Sequence, residues 1–341
     1  MHRLGEQMSI AEEIKNKLNS NAKKVDSFIA EVFFSRKPDE LYEASSYILE
    51  SGGKRLRPYL TIKTCELFGG TAEKAIPFAS AMEILHNFTL IHDDVMDHDE
   101  LRRGNPTVHK KYGIPLAILA GDLLYTKVYQ IFVNHIPEEL SYEDVIKIIQ
   151  RITDSTILLC EGQALDILYP ESMDINEEDY LLMVGGKTGA LFSASAETGA
   201  IIGGARDEER LAISKFAWDA GIAFQIVDDI LGITSTEEKI GKPVGSDILE
   251  GKKTLIIIHA LENANQEQKE IILKVLGKED STKEDLKTAI RAIHETGSIN
   301  YANDLAKLYM ESSLEILAPF PDSEAKKDLK NLVKYFVERK Y

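Results

Sequence analysis

The chain has 341 residues, of which 44% are hydrophobic and 28% are charged, so it is not an intrinsically disordered chain and can bury a large core. Its 40 Lys and Arg residues against 56 Asp and Glu residues give a formal charge of -16, which disfavours nucleic acid and anionic membrane surfaces as partners. An anionic substrate would therefore need a metal ion or a local basic cluster.

The domain organisation and the cellular compartment are predicted from the linkers, cysteines and apolar runs of the sequence. No Pro, Gly or Ser-rich linker marks a boundary, so we predict one domain over residues 1–341, with 1–8 as a disordered N-terminal extension. Cys65 and Cys160 lie in apolar helical patterns, which predicts two buried, reduced thiols and no disulfide. Because no signal-peptide pattern and no run of about 18 apolar residues is present, we expect a cytoplasmic protein without stable membrane insertion.

The periodicity of apolar residues predicts an all-α fold. Helical spacing recurs in Ile84, Leu85, Phe88, Ile91 and Val95, and in the segments 116–133, 144–168 and 179–204. The glycine pairs at 52–53, 69–70 and 203–204 are typical of helix ends. The best strand candidate, 255–258, has no alternating partner.

The first acidic motif lies in the segment LIHDDVMD, near the end of a predicted helix. Asp93 and Asp97 share a helix face, Asp94 adjoins them, and His86 and Thr89 precede them on the same stripe. Three carboxylates there repel one another unless a cation or an arginine compensates. A solvated acidic helix face is the alternative for this motif by itself.

Basic motifs alternate with the acidic ones along the chain. They are Lys54, Arg55 and Arg57 in GGKRLRP, Arg102 and Arg103 in RRG, Lys187 with Thr188 in GGKT, Lys242, and Lys252 with Lys253. Arginine forks match phosphate oxygens in bidentate geometry, and lysine supplies a movable point charge. GGKT is not a P-loop, because the required first glycine falls at Leu181 and a helical pattern precedes it.

A second acidic motif, FQIVDDILG, places Gln225, Asp228 and Asp229 on one face of another apolar helix. Aspartates in such a segment are costly to bury unless they are paired or bound to a metal ion. Oxygen ligands without a Cys or His cluster favour Mg²⁺, which fills its coordination sphere with substrate phosphate oxygens. If the two acidic helices face each other, they form a mouth rimmed by carboxylates. The charged, turn-rich segment 235–253 is a loop beside a site or a solvated connection.

Together these motifs resemble the trans-isoprenyl diphosphate synthase (polyprenyl synthetase) family. GGKRLRP, DDVMD with RRG, GGKTGALF, FQIVDDILG and GKPVGSD occur in the family's order between about Tyr47 and Lys253. The resemblance implies the isoprenoid synthase fold, a single large bundle of long antiparallel helices around a central cavity, in a homodimer. It also implies two to three Mg²⁺ ions, for which Mn²⁺ would substitute.

The resemblance implies a role for each matching residue. The catalytic set is Asp93, Asp94, Asp97, Lys187, Gln225, Asp228 and Asp229, within which Asp93, Asp97 and Asp228 are the metal ligands. The isopentenyl diphosphate pocket is Lys54, Arg57, His86 and Arg103, and the allylic diphosphate site is Arg102, Lys187, Thr188, Gln225, Lys242 and Lys252.

Two further positions bear on the assignment. The second motif departs from the family's DDxxD pattern because Gly232 stands where its last aspartate would be, and Asp247 is a candidate to help through a water molecule. Phe88, five residues before the first aspartate, matches the aromatic residue that closes the cavity floor in short-chain enzymes. Ideal helix geometry puts Phe88 off the Asp93 stripe, so Phe88 as ordinary core is the alternative.

The predicted activity is a Mg²⁺-dependent condensation of isopentenyl diphosphate with an allylic diphosphate, giving geranylgeranyl diphosphate in isoprenoid and lipid biosynthesis. A farnesyl or bifunctional farnesyl/geranylgeranyl diphosphate synthase is the alternative. A terpene cyclase, or a non-catalytic subunit of a heteromeric synthase, is more remote. A metal phosphohydrolase built on His92 and Asp93 would leave the second acidic motif unused.

Overall fold

A computed structural model describes residues 10–33, 36–172, 174–235, 244–278 and 280–337. The chain forms two compact units, each with its own core. Of the described residues, those within 1–152, 194–214 and 320–335 form unit 1, and those within 153–193, 215–319 and 336–341 form unit 2.

Helices dominate the described residues. They are α1 (Ile10–Val32), α2 (Asp39–Glu50), α3 (Leu56–Leu67), α4 (Ala72–Met96), α5 (Val108–Tyr112), α6 (Ile114–Asn134), α7 (Tyr142–Leu168), α8 (Glu177–Val184), α9 (Ala190–Gly203), α10 (Asp207–Thr234), α11 (Ser246–Leu249), α12 (Leu255–Asn263), α13 (Gln266–Val275), α14 (Lys283–Glu295), α15 (Ser298–Leu317) and α16 (Glu324–Val337). A 3₁₀ turn spans Tyr169–Glu171 and a π-helical turn spans Gly185–Gly189. The all-α prediction is confirmed, and residues 255–258 form the first turn of α12.

One small hairpin was not predicted. It pairs β1 (Leu101–Arg102) with β2 (Asn105–Pro106) in antiparallel register, with Arg102 opposite Asn105. The two turn residues, Arg103 and Gly104, have φ values of 54° and 78°. Positive φ at both central residues is the geometry of two-residue hairpin turns, and the glycine permits it without steric conflict.

The core of unit 1 is centred on α4, which packs against α1, α3 and α6. Phe78 of α4 and Phe132 of α6 are fully buried and stack with their ring centroids 5.2 Å apart. Gly121 of α6 allows a close approach, because a Cβ atom there would lie 2.2 Å from Nε2 of His92. The end of α4 that carries the first acidic motif is therefore fixed against α6.

The core of unit 2 is built by apolar residues of α8 and of α10 to α15. The first four residues of α12, 255–258, are all buried, which explains their unbroken apolar run. A capping box begins α8: the Asn176 side chain accepts from the Asp179 amide at 3.1 Å, and the Asp179 carboxylate accepts from the Asn176 amide at 3.0 Å. This cap positions α8 immediately before the π-helical turn.

The two cysteines differ in burial. Cys65 is buried as predicted, but the prediction for Cys160 was wrong because it lies on an exposed face of α7, and both thiols are free.

Among the described residues α6 is the one helix that is long and apolar enough to cross a membrane, and 44% of its most apolar stretch is buried inside the protein. Core helices of soluble proteins have the same character, so this is weak evidence for a membrane span. Residues 1–8 lie outside the described part of the chain.

Candidate active site

The first acidic motif occupies the C-terminal end of α4 in unit 1. Asp93 and Asp94 lie in its last turn, and Asp97 caps it, with its amide donating to the Asp93 carbonyl at 2.8 Å. Asp93 and Asp97 are partly exposed, whereas Asp94 is only 1% exposed. The helix end adds partial negative charge to these carboxylates. The arrangement therefore favours a bound cation.

The hairpin brings Arg102 back onto this helix end. Its Nε atom donates to Oδ1 of Asp94 at 2.5 Å, and a terminal nitrogen lies 3.4 Å from Oδ2 of Asp99. Thr107 fixes the hairpin base through its hydroxyl, which donates to the Asp99 carbonyl at 2.8 Å. Burial opposes the charge on Arg102, but the hydrogen bond to Asp94 and the nearby carboxylate charges together outweigh burial and raise the pKa of the guanidinium. Asp94 thus holds a permanently charged arginine beside Asp93 and Asp97.

A basic cluster surrounds His86 in the same unit. Burial, followed by the charges of Arg57, Arg103 and Arg102, lowers the pKa of His86 well below its usual value, so the imidazole is neutral. Burial also lowers the pKa of Arg57 to about 10. The Arg103 guanidinium donates to the Gly52 carbonyl, and a Cβ atom at Gly53 would lie 3.0 Å from that guanidinium. These groups concentrate positive charge where an anion can bind.

Arg55, in the middle of GGKRLRP, serves a structural purpose. It is 4% exposed, and it donates to Asp26 at 2.9 Å, to Glu83 at 2.8 Å and to the Leu49 and Gly52 carbonyls at 2.6 and 3.0 Å. Glu83 is 2% exposed and also accepts from Asn87. Arg55 therefore fixes the loop between α2 and α3, while its neighbour Lys54 is exposed.

Phe88 lies half-buried on α4, one turn before His92. Its ring contacts His92 edge-on with centroids 4.9 Å apart, and it contacts Tyr125 of α6 with centroids 5.2 Å apart. Tyr125 in turn shares a hydrogen bond of 2.9 Å with the Tyr129 hydroxyl. Phe88 is thus the first member of an aromatic layer between α4 and α6.

In unit 2, the π-helical turn carries Lys187 and Thr188. Backbones approach closely here, because a Cβ atom at Gly186 would lie 2.5 Å from the Leu158 carbonyl and one at Gly162 would lie 2.4 Å from the Lys187 amide. The Lys187 ammonium binds Oδ2 of Asp166 at 2.6 Å. This turn is preceded by helix and not by a strand, which agrees with the rejection of a P-loop.

The second acidic motif, on α10, separates its two aspartates by burial. Asp228 is exposed, whereas Asp229 is 8% exposed and accepts from Gln225 Nε2 at 2.9 Å and from the Tyr180 hydroxyl at 2.7 Å. Gln225 also accepts from the Thr188 hydroxyl at 2.9 Å. Burial and the nearby Asp247 carboxylate raise the pKa of Asp229 to about 7, while the hydrogen bonds oppose the shift.

The position of Gly232 leaves room for a carboxylate from the following segment. A Cβ atom at Gly232 would lie 3.1 Å from Oδ2 of Asp247, and the Lys252 amide donates to the Asp247 carbonyl at 2.9 Å. The Lys252 ammonium pairs with Glu250 at 2.8 Å. Asp247 therefore lies beside α10 where the family pattern has its last aspartate. Lys242 lies outside the described residues.

The structure thus groups the predicted residues into two sets. Unit 1 contains Lys54, Arg57, His86, Phe88, Asp93, Asp94, Asp97, Arg102 and Arg103, and unit 2 contains Lys187, Thr188, Gln225, Asp228, Asp229, Asp247 and Lys252. Sequence reasoning missed Asp166 and Tyr180, because their partners are 21 and 49 residues away. It also missed Glu83 and Asn87, although two polar residues four apart in an apolar helix are a readable signal.

Another acidic cluster, in unit 1, has a simpler explanation than a metal ion. Glu13, Glu324 and Asp328 have ligand atoms within 4.8 Å of one another. The Lys17 ammonium contacts all three carboxylates, at 3.1, 2.7 and 2.5 Å, and Lys63 also pairs with Asp328. Lysine therefore already supplies the positive charge, and the cluster joins α1 to α16.

The sequence model of the polyprenyl synthetase family matches residues 38–293, three quarters of the chain, and this range contains both acidic motifs and all of the predicted site residues. The chain belongs to the polyprenyl synthetase family. The order of its motifs and its helical fold agree with that membership. As a member of this family, the protein is a prenyltransferase.

Individual relatives cover nearly the whole polyprenyl synthetase chain. It is 47% identical to a geranylgeranyl diphosphate synthase of Sulfolobus acidocaldarius over 289 residues, 85% of this chain and 87% of the relative. A geranylgeranyl pyrophosphate synthetase of Pyrococcus horikoshii, known from a crystal structure, has 43% sequence identity to this chain. The two structures superpose with a TM-score of 0.90, covering 96% of this chain and 99% of the other. A polyprenyl synthase of Caulobacter crescentus, complexed with calcium and isoprenyl diphosphate, is 27% identical, with a TM-score of 0.87 over 96% and 98% of the two chains.

Proposed function

We propose that this polyprenyl synthetase condenses isopentenyl diphosphate with an allylic diphosphate and releases geranylgeranyl diphosphate. The observation that carries the proposal is the acidic end of α4, which holds three carboxylates and an arginine within the segment matched by the family. The names of the Sulfolobus and Pyrococcus relatives support the product.

The donor atoms of both acidic motifs fit a hard divalent cation, because all are carboxylate oxygens. Asp93, Asp97 and Asp228 would hold Mg²⁺, and Mn²⁺ would substitute for it. When bound, two to three such ions would neutralise the negative charge that develops on the departing diphosphate. A relative that binds calcium with isoprenyl diphosphate supports this assignment.

The chain's own residues supply binding and orientation. Arg102, Lys187, Lys242 and Lys252 bind the allylic diphosphate, because their charges match its oxygens. Lys54, Arg57 and Arg103 bind isopentenyl diphosphate, while neutral His86 donates a hydrogen bond to it without adding charge. The amide and hydroxyl dipoles of Gln225 and Thr188 face the developing allylic cation.

The reaction proceeds by three bond changes. The allylic C–O bond breaks, and its electron pair leaves with the diphosphate. The double bond of isopentenyl diphosphate attacks the allylic carbon to form the new C–C bond, and the resulting cation loses a proton to the released diphosphate. Because the cation reacts with water, the protein's contribution is preorganised charge and water exclusion.

Product length is proposed to be limited by Phe88. The half-buried ring and its support by Tyr125 are consistent with a rigid barrier on α4. If the cavity that holds the growing chain above Phe88 is smaller, the alternative product is farnesyl diphosphate, or a mixture of farnesyl and geranylgeranyl diphosphate.

A cytoplasmic homodimer is proposed for the assembly. Exposed apolar residues on α6, namely Ile114, Ile118 and Leu119, with exposed fractions of 42% to 51%, support a subunit contact in unit 1. Sedimentation velocity of the wild type and of Ile118→Glu tests this, with a monomeric wild type as the contradicting result.

The activity is tested with purified protein, Mg²⁺, radiolabelled isopentenyl diphosphate and dimethylallyl, geranyl or farnesyl diphosphate as primer. We expect incorporation of label into geranylgeranyl diphosphate and its loss when EDTA removes the metal. Asp93→Asn should lower kcat at least about 100-fold without a change in melting temperature. Hydrocarbon formed from a single diphosphate would indicate a cyclase, and activity only after a second protein is added would indicate a non-catalytic subunit.

A further inference from the structure

Tyr180 is a buried hydrogen-bond donor that the assigned chemistry does not use. It is 0% exposed on α8, and its hydroxyl donates to Oδ2 of Asp229 at 2.7 Å. Burial, together with the adjacent Asp229 carboxylate, raises the pKa of Tyr180 well above its ordinary value. The hydroxyl therefore keeps its proton.

Asp229 is engaged from both sides. Its Oδ1 atom accepts from Gln225 Nε2 at 2.9 Å, and Gln225 Oε1 accepts from the Thr188 hydroxyl at 2.9 Å. A continuous chain of hydrogen bonds therefore joins α8, α10 and the π-helical turn. A buried carboxylate with a donor on each oxygen is fixed in one orientation.

The neighbouring aspartate has the opposite environment. Asp228 is exposed on the same turn of α10, while Asp229 is 8% exposed. Both residues have the same side chain, and only their exposure to solvent distinguishes them. A metal ion that approaches from solvent meets the Asp228 carboxylate first.

We propose that Tyr180 is a positioning residue: it holds Asp229 inward, so that Asp229 orients Gln225 and Thr188 and leaves Asp228 as the metal ligand of α10. This inference rests on the proposed function, because it assigns Gln225 and Thr188 to the allylic substrate. Mutation of a residue that positions another in this indirect way typically lowers metal affinity or activity 10–100-fold.

Tyr180→Phe removes only the hydroxyl. We expect the KM for the allylic diphosphate to rise about tenfold and the KM for isopentenyl diphosphate to stay within about twofold, because only Gln225 and Thr188 lose their orientation. Tyr309→Phe is the matched control, since Tyr309 is a half-buried tyrosine of unit 2 outside this hydrogen-bond chain. Equal increases in both KM values, or none, would overturn the positioning role.

A count of bound Mn²⁺ separates the two aspartates without measuring turnover. With inorganic diphosphate present, electron paramagnetic resonance should detect one Mn²⁺ fewer in Asp228→Asn and an unchanged number in Asp229→Asn and Tyr180→Phe. If Tyr180→Phe does not fold, Asp229→Asn decides the question by itself. Loss of one Mn²⁺ from Asp229→Asn would refute the inference while an active wild type upholds the proposed function. An inactive wild type would refute both.

Discussion

Replacement of Arg55 by methionine should destabilise unit 1 without touching the proposed substrate pocket. Arg55 makes four hydrogen bonds, two of them to carboxylates, and its loss leaves Glu83, which is 2% exposed, without the arginine that donates to it. Breaking a buried ion pair from one side costs about 3–5 kcal/mol. For a cooperative unit of about 150–250 residues this corresponds to a melting temperature lower by about 6–20 °C.

The assay is thermal unfolding followed by circular dichroism, with two comparison variants. Lys54→Met changes an exposed neighbour and should alter stability by no more than about 0.5 kcal/mol. Arg55→Met combined with Glu83→Leu should recover part of the loss, because no unpaired charge stays buried. A melting temperature of Arg55→Met within about 2 °C of wild type would refute this reasoning.

Three further changes test other parts of the molecule. Phe88→Ala should lengthen the product in a radiolabelled chain-length assay, and an unchanged product distribution would contradict its role as a barrier. Gly121→Ala should destabilise the protein by about 1–3 kcal/mol, measured by thermal unfolding, because the new Cβ atom would lie 2.2 Å from His92. His86 has a depressed pKa when folded, so only the unfolded chain takes up a proton there as the pH falls below about 6.5. Between pH 7.5 and 5.5 the wild type should therefore lose more stability, or gain less, than His86→Gln, and equal slopes in the two proteins would contradict a neutral imidazole.

The helices and the motifs they carry were readable from the sequence because both depend on local spacing. The run from Ile84 to Val95 predicts α4, and its last turn carries Asp93 as expected. The apolar run at 255–258 was ambiguous, because complete burial removes the alternation that distinguishes helix from strand.

The roles of adjacent residues of the same type were not readable, because they depend on distant partners. Arg55 and Arg57 are two positions apart, yet Arg55 is held by Glu83, 28 residues away in sequence. Asp228 and Asp229 are likewise separated by the contact of Asp229 with Tyr180, 49 residues away. Cys160 shows the same limit, since helical spacing cannot tell which face of α7 is covered.

The π-helical turn at Gly185–Gly189 restricts the insertions and deletions that this chain can accept during evolution. A π turn accommodates one more residue than an α turn, and loss of that residue would rotate the following helix by about 100°. Thr188 would then no longer meet Gln225, and the close backbone approach at Gly162 would be lost. The number of residues between Val184 and Ala190 is therefore under a geometric constraint, so insertions and deletions should be purged there even where single substitutions are tolerated.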